Sequence, residues 1–191
     1  MKIESSDAIL VVDVQVDFCP GGALAVAGGD SIVAGINAVV PRFSTRVFTR
    51  DWHPANHCSF SDEPQFADKS WPVHCVANTP GAQFHANLGV PNDALVVDKG
   101  QDSALEAYSG FDGTGLAGAL RARRVTRVFV CGLATDYCVK ATALDAVRSG
   151  FDTVLVNDLC RGVDVPAGNA QAAVDAMRAN RVRVVTSGEL V

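Results

Sequence analysis

The sequence predicts an α/β protein: a doubly wound, mostly parallel six-stranded sheet with helices on both faces. Two observations carry that reading. Short apolar or β-branched runs alternate with helical patterns over most of the 191 residues. The clearest run, AILVV at 8–12, is apolar without interruption, as a strand covered on both faces must be. In chain order, that first run ends at Asp13. Ile32, Ile36, Val39 and Val40 then recur at helical spacing after Asp30 and Ser31, and Pro41 stops the helix. Further strands are expected at 47–49, 94–97, 125–130, 153–156 and 182–186. Helices separate the later ones: a Leu/Ala-rich stretch at 115–124, a stretch at 136–149 with Val139, Ala143 and Val147 on one face, and an Ala-rich stretch at 171–180. The common strand order 3-2-1-4-5-6 fits this alternation.

Composition narrows the class of function. Sixteen Lys and Arg against 21 Asp and Glu give a formal charge of −5, and no basic run breaks the acidic balance, which argues against nucleic acid and membrane surfaces as partners. Apolar residues at 48% and charged residues at 19% are those of a chain that buries a core. The N-terminal MKIESSDAILVVD meets acids at Glu4, Asp7 and Asp13 and does not read as a signal peptide. Residues 70–92 lack Asp, Glu, Lys and Arg but are rich in Asn, Pro, Gly and His, so they do not span a bilayer. Six cysteines, at 19, 58, 75, 131, 138 and 160, include no C-x-x-C pair and are expected to be reduced. The expectation is a single cytoplasmic domain over 1–191, its oligomeric state left open, a homo-oligomer included.

One segment breaks the alternation. Between Arg50 and Ala94 lie more than 40 residues with little periodicity, and loops of that length are functional more often than not. All four histidines (53, 57, 74 and 85) and both tryptophans fall there. With Asp51 beside His53, the set points to a metal-binding loop at about 51–93.

The strand ends are where an open parallel sheet binds ligands. Read in turn, they present Asp13, then Asp51 and His53, then Asp98 and Lys99, then the segment 131–138. In the expected strand order, Asp13 and Cys138 are neighbours and Lys99 reaches back toward them. Thr135 or Asp136 is the expected N-cap of the following helix, placing Cys138 in its first turn, where the dipole favours a thiolate. A G-x-G-x-x-G match at 113–118 is a decoy: the preceding strand ends near Asp98, too early for the tight strand-to-helix turn that dinucleotide binding needs.

These residues sit in stretches that resemble the nicotinamidase branch of the isochorismatase-like cysteine hydrolases: VVDVQVDFCPGGAL (11–24), TRDWHPANHCSF (49–60), WPVHCV (71–76), DKG (98–100), YSGF (108–111), CGLATDYCVKATALDA (131–146) and CRGVD (160–164). The resemblance implies a triad of Asp13, Lys99 and Cys138. It also implies one divalent metal ion, Zn²⁺, Mn²⁺ or Fe²⁺, on Asp51, His53 and His74, with His57 a further ligand in some relatives. The 133–134 bond aligns with a family cis peptide, and the backbone N–H groups of Ala134 and Cys138 would form an oxyanion hole. Phe18, Trp71, Leu133 and Tyr108 are the candidate pocket walls, and His85 carries no role. The implied activity is hydrolysis of nicotinamide to nicotinate and ammonia through a cysteine thioester, with pyrazinamide as a second substrate. The alternatives are another cysteine amidohydrolase or an isochorismatase-type hydrolase of the same superfamily.

Overall fold

Six parallel strands form one sheet in the order β3-β2-β1-β4-β5-β6. They are β1 (Asp7–Val12), β2 (Thr45–Asp51), β3 (Leu95–Lys99), β4 (Arg127–Leu133), β5 (Asp152–Arg161) and β6 (Arg183–Val185). Four α-helices connect them: α1 (Val33–Val39), α2 (Leu116–Ala122), α3 (Lys140–Arg148) and α4 (Asn169–Ala179). The computed structural model describes residues 1–66 and 70–191; residues 67–69 of the expected metal-binding loop lie outside the described residues. The chain steps one way from β1 to β2 and the opposite way from β4 through β6. Right-handed crossovers therefore put α1 on one face and α3 with α4 on the other.

Every residue of β1 is buried, which explains the uninterrupted apolar run at 8–12; the buried Asp7 at its start pairs with Arg127 at 2.6 Å. Phe43, Phe48, Phe129, Ile9, Leu10 and Leu155 are among the largest fully buried side chains, and Phe43 meets Phe129 edge-on at 5.0 Å between centroids. Gly132 fixes the fit of β1 to β4. It holds φ at +118°, and a Cβ there would lie 2.1 Å from the Val12 carbonyl oxygen, so only glycine lets the two strands close.

Two expectations on extent need correction. The run at 153–156 is the centre of a ten-residue strand, whose exposed Asn157 and Asp158 interrupt the apolar pattern. The helix expected at 136–149 begins with a π turn, Thr135–Val139, and becomes α-helical at Lys140. The long segment after β2 holds no α-helix or strand among its described residues. It has a short 3₁₀ turn, Pro80–Ala82, and single β-bridges of His53 to Val76, Phe60 to Trp71 and Gln15 to Phe84. No helix of the described residues is long and apolar enough to cross a membrane.

Candidate active site

The register of the sheet assembles the first cluster. Asp51 and Lys99 are paired neighbours at the ends of β2 and β3. Asp13 is the first residue past β1, held at φ +48°, and its N–H donates to the Thr49 carbonyl at 3.2 Å. Its Oδ1 accepts the Thr49 hydroxyl at 2.6 Å, and its Oδ2 lies 3.0 Å from Lys99 Nζ. The same ammonium donates to Asp51 Oδ1, to the Ala107 carbonyl at 3.2 Å and toward Cys138 Sγ at 3.4 Å. Acid, ammonium and thiol thus converge, all of them buried.

Burial dominates the electrostatics. It works against the Lys99 ammonium, but Asp13 and Asp51 outweigh it and hold the lysine charged well above its ordinary range. Burial, with Asp51 adding, raises Asp13 against the pull of Lys99. Burial also opposes ionisation of Asp51, yet Lys99 and the neighbouring imidazoles hold it well below the usual carboxylate range. The Cys138 thiol is pushed well above the cysteine range by burial and by both carboxylates, with Lys99 opposing. The π turn is buried beside Asp13 and Asp51, and both effects work against the thiolate expected at a helix N-terminus. Neither Thr135 nor Asp136, the two expected caps, caps this helix, and the Asp136 carboxylate accepts from Val163, Asp164 and Asn169 instead.

The second cluster shares Asp51. One ligand atom each from Asp51, His53 and His74 falls within 4.8 Å of the others. His53 Nδ1 donates to the Gly100 carbonyl at 2.9 Å, and His74 Nδ1 to the Pro72 carbonyl at 2.7 Å. Both tautomers leave Nε2 a lone pair facing Asp51 Oδ2, at 3.5 and 4.0 Å. Burial lowers His74 to about 4, which keeps its ring neutral. Burial opposes charge on His53, but Asp51 outweighs it and raises its pKa; the Nδ1 bonds orient both rings, and one carboxylate with two imidazoles fits a divalent ion. A second group of ligand-type atoms, Asp13, Asp51 and Cys138, is no such site, because the Lys99 ammonium already contacts all three.

His57 stands apart from these donors. Its Nδ1 accepts the Ser59 N–H at 3.3 Å, so its Nε2–H donates to the Leu105 carbonyl at 3.1 Å, and neither nitrogen is left for an ion. Its ring instead packs on His53 at 4.1 Å. His85 takes no part in the cluster, accepting the Asn87 N–H at 3.3 Å.

Above the two clusters opens a cavity of about 450 Å³ including its mouth. Phe18, Trp71, Tyr108 and Tyr137 line it, with Asp51, His53, His74, Ala134 and Cys138 at its base. Trp71 Nε1 donates to the Tyr108 hydroxyl at 2.9 Å and meets Tyr137 edge-on at 4.7 Å. Leu133, expected in the wall, is not there. As the last residue of β4 it is fully buried, its Cδ1 turned toward Gly29. The 133–134 peptide is cis.

Sequence reasoning missed several contributors. Gln15, fully buried, accepts the Asp51 N–H at 2.8 Å and donates to the Asp51 carbonyl at 2.8 Å and to that of Ala82 at 2.9 Å, clamping the residue the two clusters share. Phe60 packs against His53, His57 and His74 at 5.4 to 5.8 Å. Tyr137 completes the aromatic wall. Each lies inside a matched stretch, but only the fold reveals its partners.

A doubly wound sheet with Asp, Lys and Cys joined at its strand ends defines a class, and the chain belongs to the isochorismatase family, whose Isochorismatase domain matches residues 7–189. Within that family it falls in the nicotinamidase branch. It is 38% identical to the nicotinamidase of Acinetobacter baylyi, over 100% of this chain and 97% of that one. The pyrazinamidase of Pyrococcus horikoshii, solved in complex with zinc, is 43% identical with a TM-score of 0.87, over 95% of this chain and 99% of that one. PnC1 from L. infantum, solved in complex with nicotinate, is 41% identical with a TM-score of 0.91, over 100% and 98%.

Proposed function

We propose that this chain acts as a single cytoplasmic hydrolase domain that converts nicotinamide to nicotinate and ammonia, and accepts pyrazinamide. The observation that carries the reading is Lys99, whose ammonium bridges Asp13 at 3.0 Å and Cys138 at 3.4 Å beneath an aromatic cavity. A carboxamide is a poor electrophile with a poor leaving group, so attack must be coupled to proton delivery on nitrogen. Asp13 accepts the Cys138 proton as sulfur adds to the carbonyl carbon. It then returns that proton to nitrogen as the C–N bond breaks and ammonia leaves. Water, losing a proton to Asp13, adds to the thioester; the C–S bond breaks and the proton goes back to sulfur. A carboxyl raised by burial suits both directions of transfer. Lys99 keeps acid and thiol in register through both halves. The N–H groups of Ala134 and Cys138, at the cavity base, are assigned to the developing oxyanion.

Asp51, His53 and His74 are assigned as the ligands of the divalent ion, zinc, manganese or iron, and His57 as a support stacked on His53. When bound there, such an ion supplies a Lewis-acidic partner for a pyridine nitrogen. Phe18 and the Trp71, Tyr108 and Tyr137 wall hold a planar ring, which orients its carboxamide toward Cys138. The test is ammonia release from nicotinamide by wild type and Cys138→Ala: release by the first and none by the second is expected. Equal release by both refutes the thioester route.

A further inference from the structure

Asp136 is buried completely yet spends its carboxylate on a loop that is not its own. Oδ1 accepts the Val163 N–H at 3.0 Å; Oδ2 accepts the Asp164 N–H at 2.8 Å and the Asn169 side-chain amide at 3.2 Å. Residues 164–168 of that loop are exposed. Asp164 in turn accepts the N–H groups of Gly168 and Ala170 at 2.9 Å, tying the loop to the start of α4. Gly162 lets the strap close, since a Cβ there would lie 2.6 Å from Ala170 Cβ and 3.1 Å from Asp136 Oδ1. The two ends of the connection matter. Asp136 belongs to the turn that carries Tyr137 and Cys138, and Val163 lines the cavity beside both.

We infer that Asp136 is a positioning residue that straps the 161–169 loop across the cavity, making Val163 a wall that selects for a small planar amide. The inference rests on the proposed amide hydrolysis for its substrate but on the hydrogen bonds for its geometry. Asp13, Lys99 and Cys138 are held by their own contacts, so loosening the strap acts on substrate binding before it acts on chemistry. In Asp136→Asn the side-chain amide cannot accept at both positions, and at least one backbone N–H loses its partner.

The experiment measures steady-state nicotinamide kinetics and tryptic cleavage after Arg161, mapped by mass spectrometry, for wild type, Asp136→Asn and Val163→Ala. A lost hydrogen bond to a charged acceptor corresponds to about tenfold or more in an equilibrium. Asp136→Asn is therefore expected to raise cleavage after Arg161 and the nicotinamide KM by about tenfold each, with kcat within about threefold of wild type. Val163→Ala is expected to raise KM with cleavage unchanged. Unchanged cleavage in Asp136→Asn overturns the strap. Faster cleavage with KM unchanged, or a collapse of kcat at constant KM, overturns the wall. If wild type itself leaves nicotinamide intact, the functional reading fails and the wall with it, while the cleavage rates still judge the strap.

Discussion

Gly100→Ala is a sharp test of how the assigned metal ligands are held, because one methyl group attacks the orientation of His53 and replaces none of Asp51, His53 and His74. Two costs follow from the structure. Gly100 sits at φ +67°, where an L side chain costs about 1 kcal/mol. For a chain of this size that corresponds to a fall in Tm of about 2–4 °C. The added Cβ would also lie 2.4 Å from His53 Cε1 and 2.6 Å from Nδ1, whereas ordinary contact begins near 3.4 Å. The ring must retreat by about an ångström. That breaks the 2.9 Å bond from Nδ1 to the Gly100 carbonyl, which fixes the tautomer and aims Nε2 at Asp51. Loss of such a support lowers metal affinity by about 10- to 100-fold. Competition with a chromogenic chelator measures the affinity, and thermal unfolding of the metal-free protein measures the backbone and steric costs apart from the metal. A Tm lowered as expected with the metal Kd within twofold of wild type refutes the claim that Gly100 orients His53.

The remaining predictions concern the reacting groups and the other histidines. Cys138→Ala should keep the far-UV circular dichroism of wild type and release no ammonia from nicotinamide; residual turnover near the wild-type rate refutes the nucleophile. Asp13→Asn keeps the shape of the side chain but accepts no proton, so kcat should fall by about 10² or more with little change in KM. A change confined to KM would make Asp13 a binding residue. His53→Ala and His74→Ala should each lose stoichiometric metal by elemental analysis. His57→Ala should retain it with weakened affinity, because that ring only stacks on His53, and His85→Ala should match wild type.

The sequence made the sheet legible where burial was uniform and obscured it where burial alternated. β1 and the centre of β4 are covered on both faces and stand out as apolar runs, and the strand order follows from the alternation of elements. β5 was legible only as far as Val156, because Asn157 and Asp158 face water. Within the site, Asp13, Asp51 and Lys99 were readable because each stands at a strand end and bears a titratable group, and Cys138 because it lies in the turn that follows β4. Gln15 and Thr49 were not, since an amide and a hydroxyl carry no chemical signature until their partners 36 residues away are known. Asp136 was misread for a related reason. Its type and position suit an N-cap, but the residues it holds are 27 to 33 positions downstream, and capping statistics see only the local chain. His57 was ambiguous for want of a tautomer, which Ser59 and Leu105 supply.

The pairing of β2 with β3 shows how tightly the site and the fold depend on one another. Side chains alternate across a strand, so Thr49, Asp51 and the paired Lys99 point to one side while Arg50 and the paired Asp98 point to the other. On that other side Arg50 grips Asp98 with two bonds of 2.6 and 3.0 Å and lies over the Trp52 ring at 4.0 Å; at the start of the strands Arg46 pairs with Asp93 at 2.7 Å. A slip of one residue would bring Asp98 to the place of Lys99, setting a third carboxylate against Asp13 and Asp51 with no cation among them, and would strand the ammonium beside Arg50. Partly exposed pairs such as Arg46 with Asp93 contribute about 1 kcal/mol at most. An uncompensated buried charge costs about 3–5 kcal/mol. The stronger lock on register is therefore the buried Asp13–Lys99–Asp51 cluster itself. The residues assigned to the chemistry also exclude the mispaired sheet, so replacing Lys99 by a neutral side chain removes the proposed triad's ammonium and leaves Asp13 and Asp51 buried without a cation in the native register too.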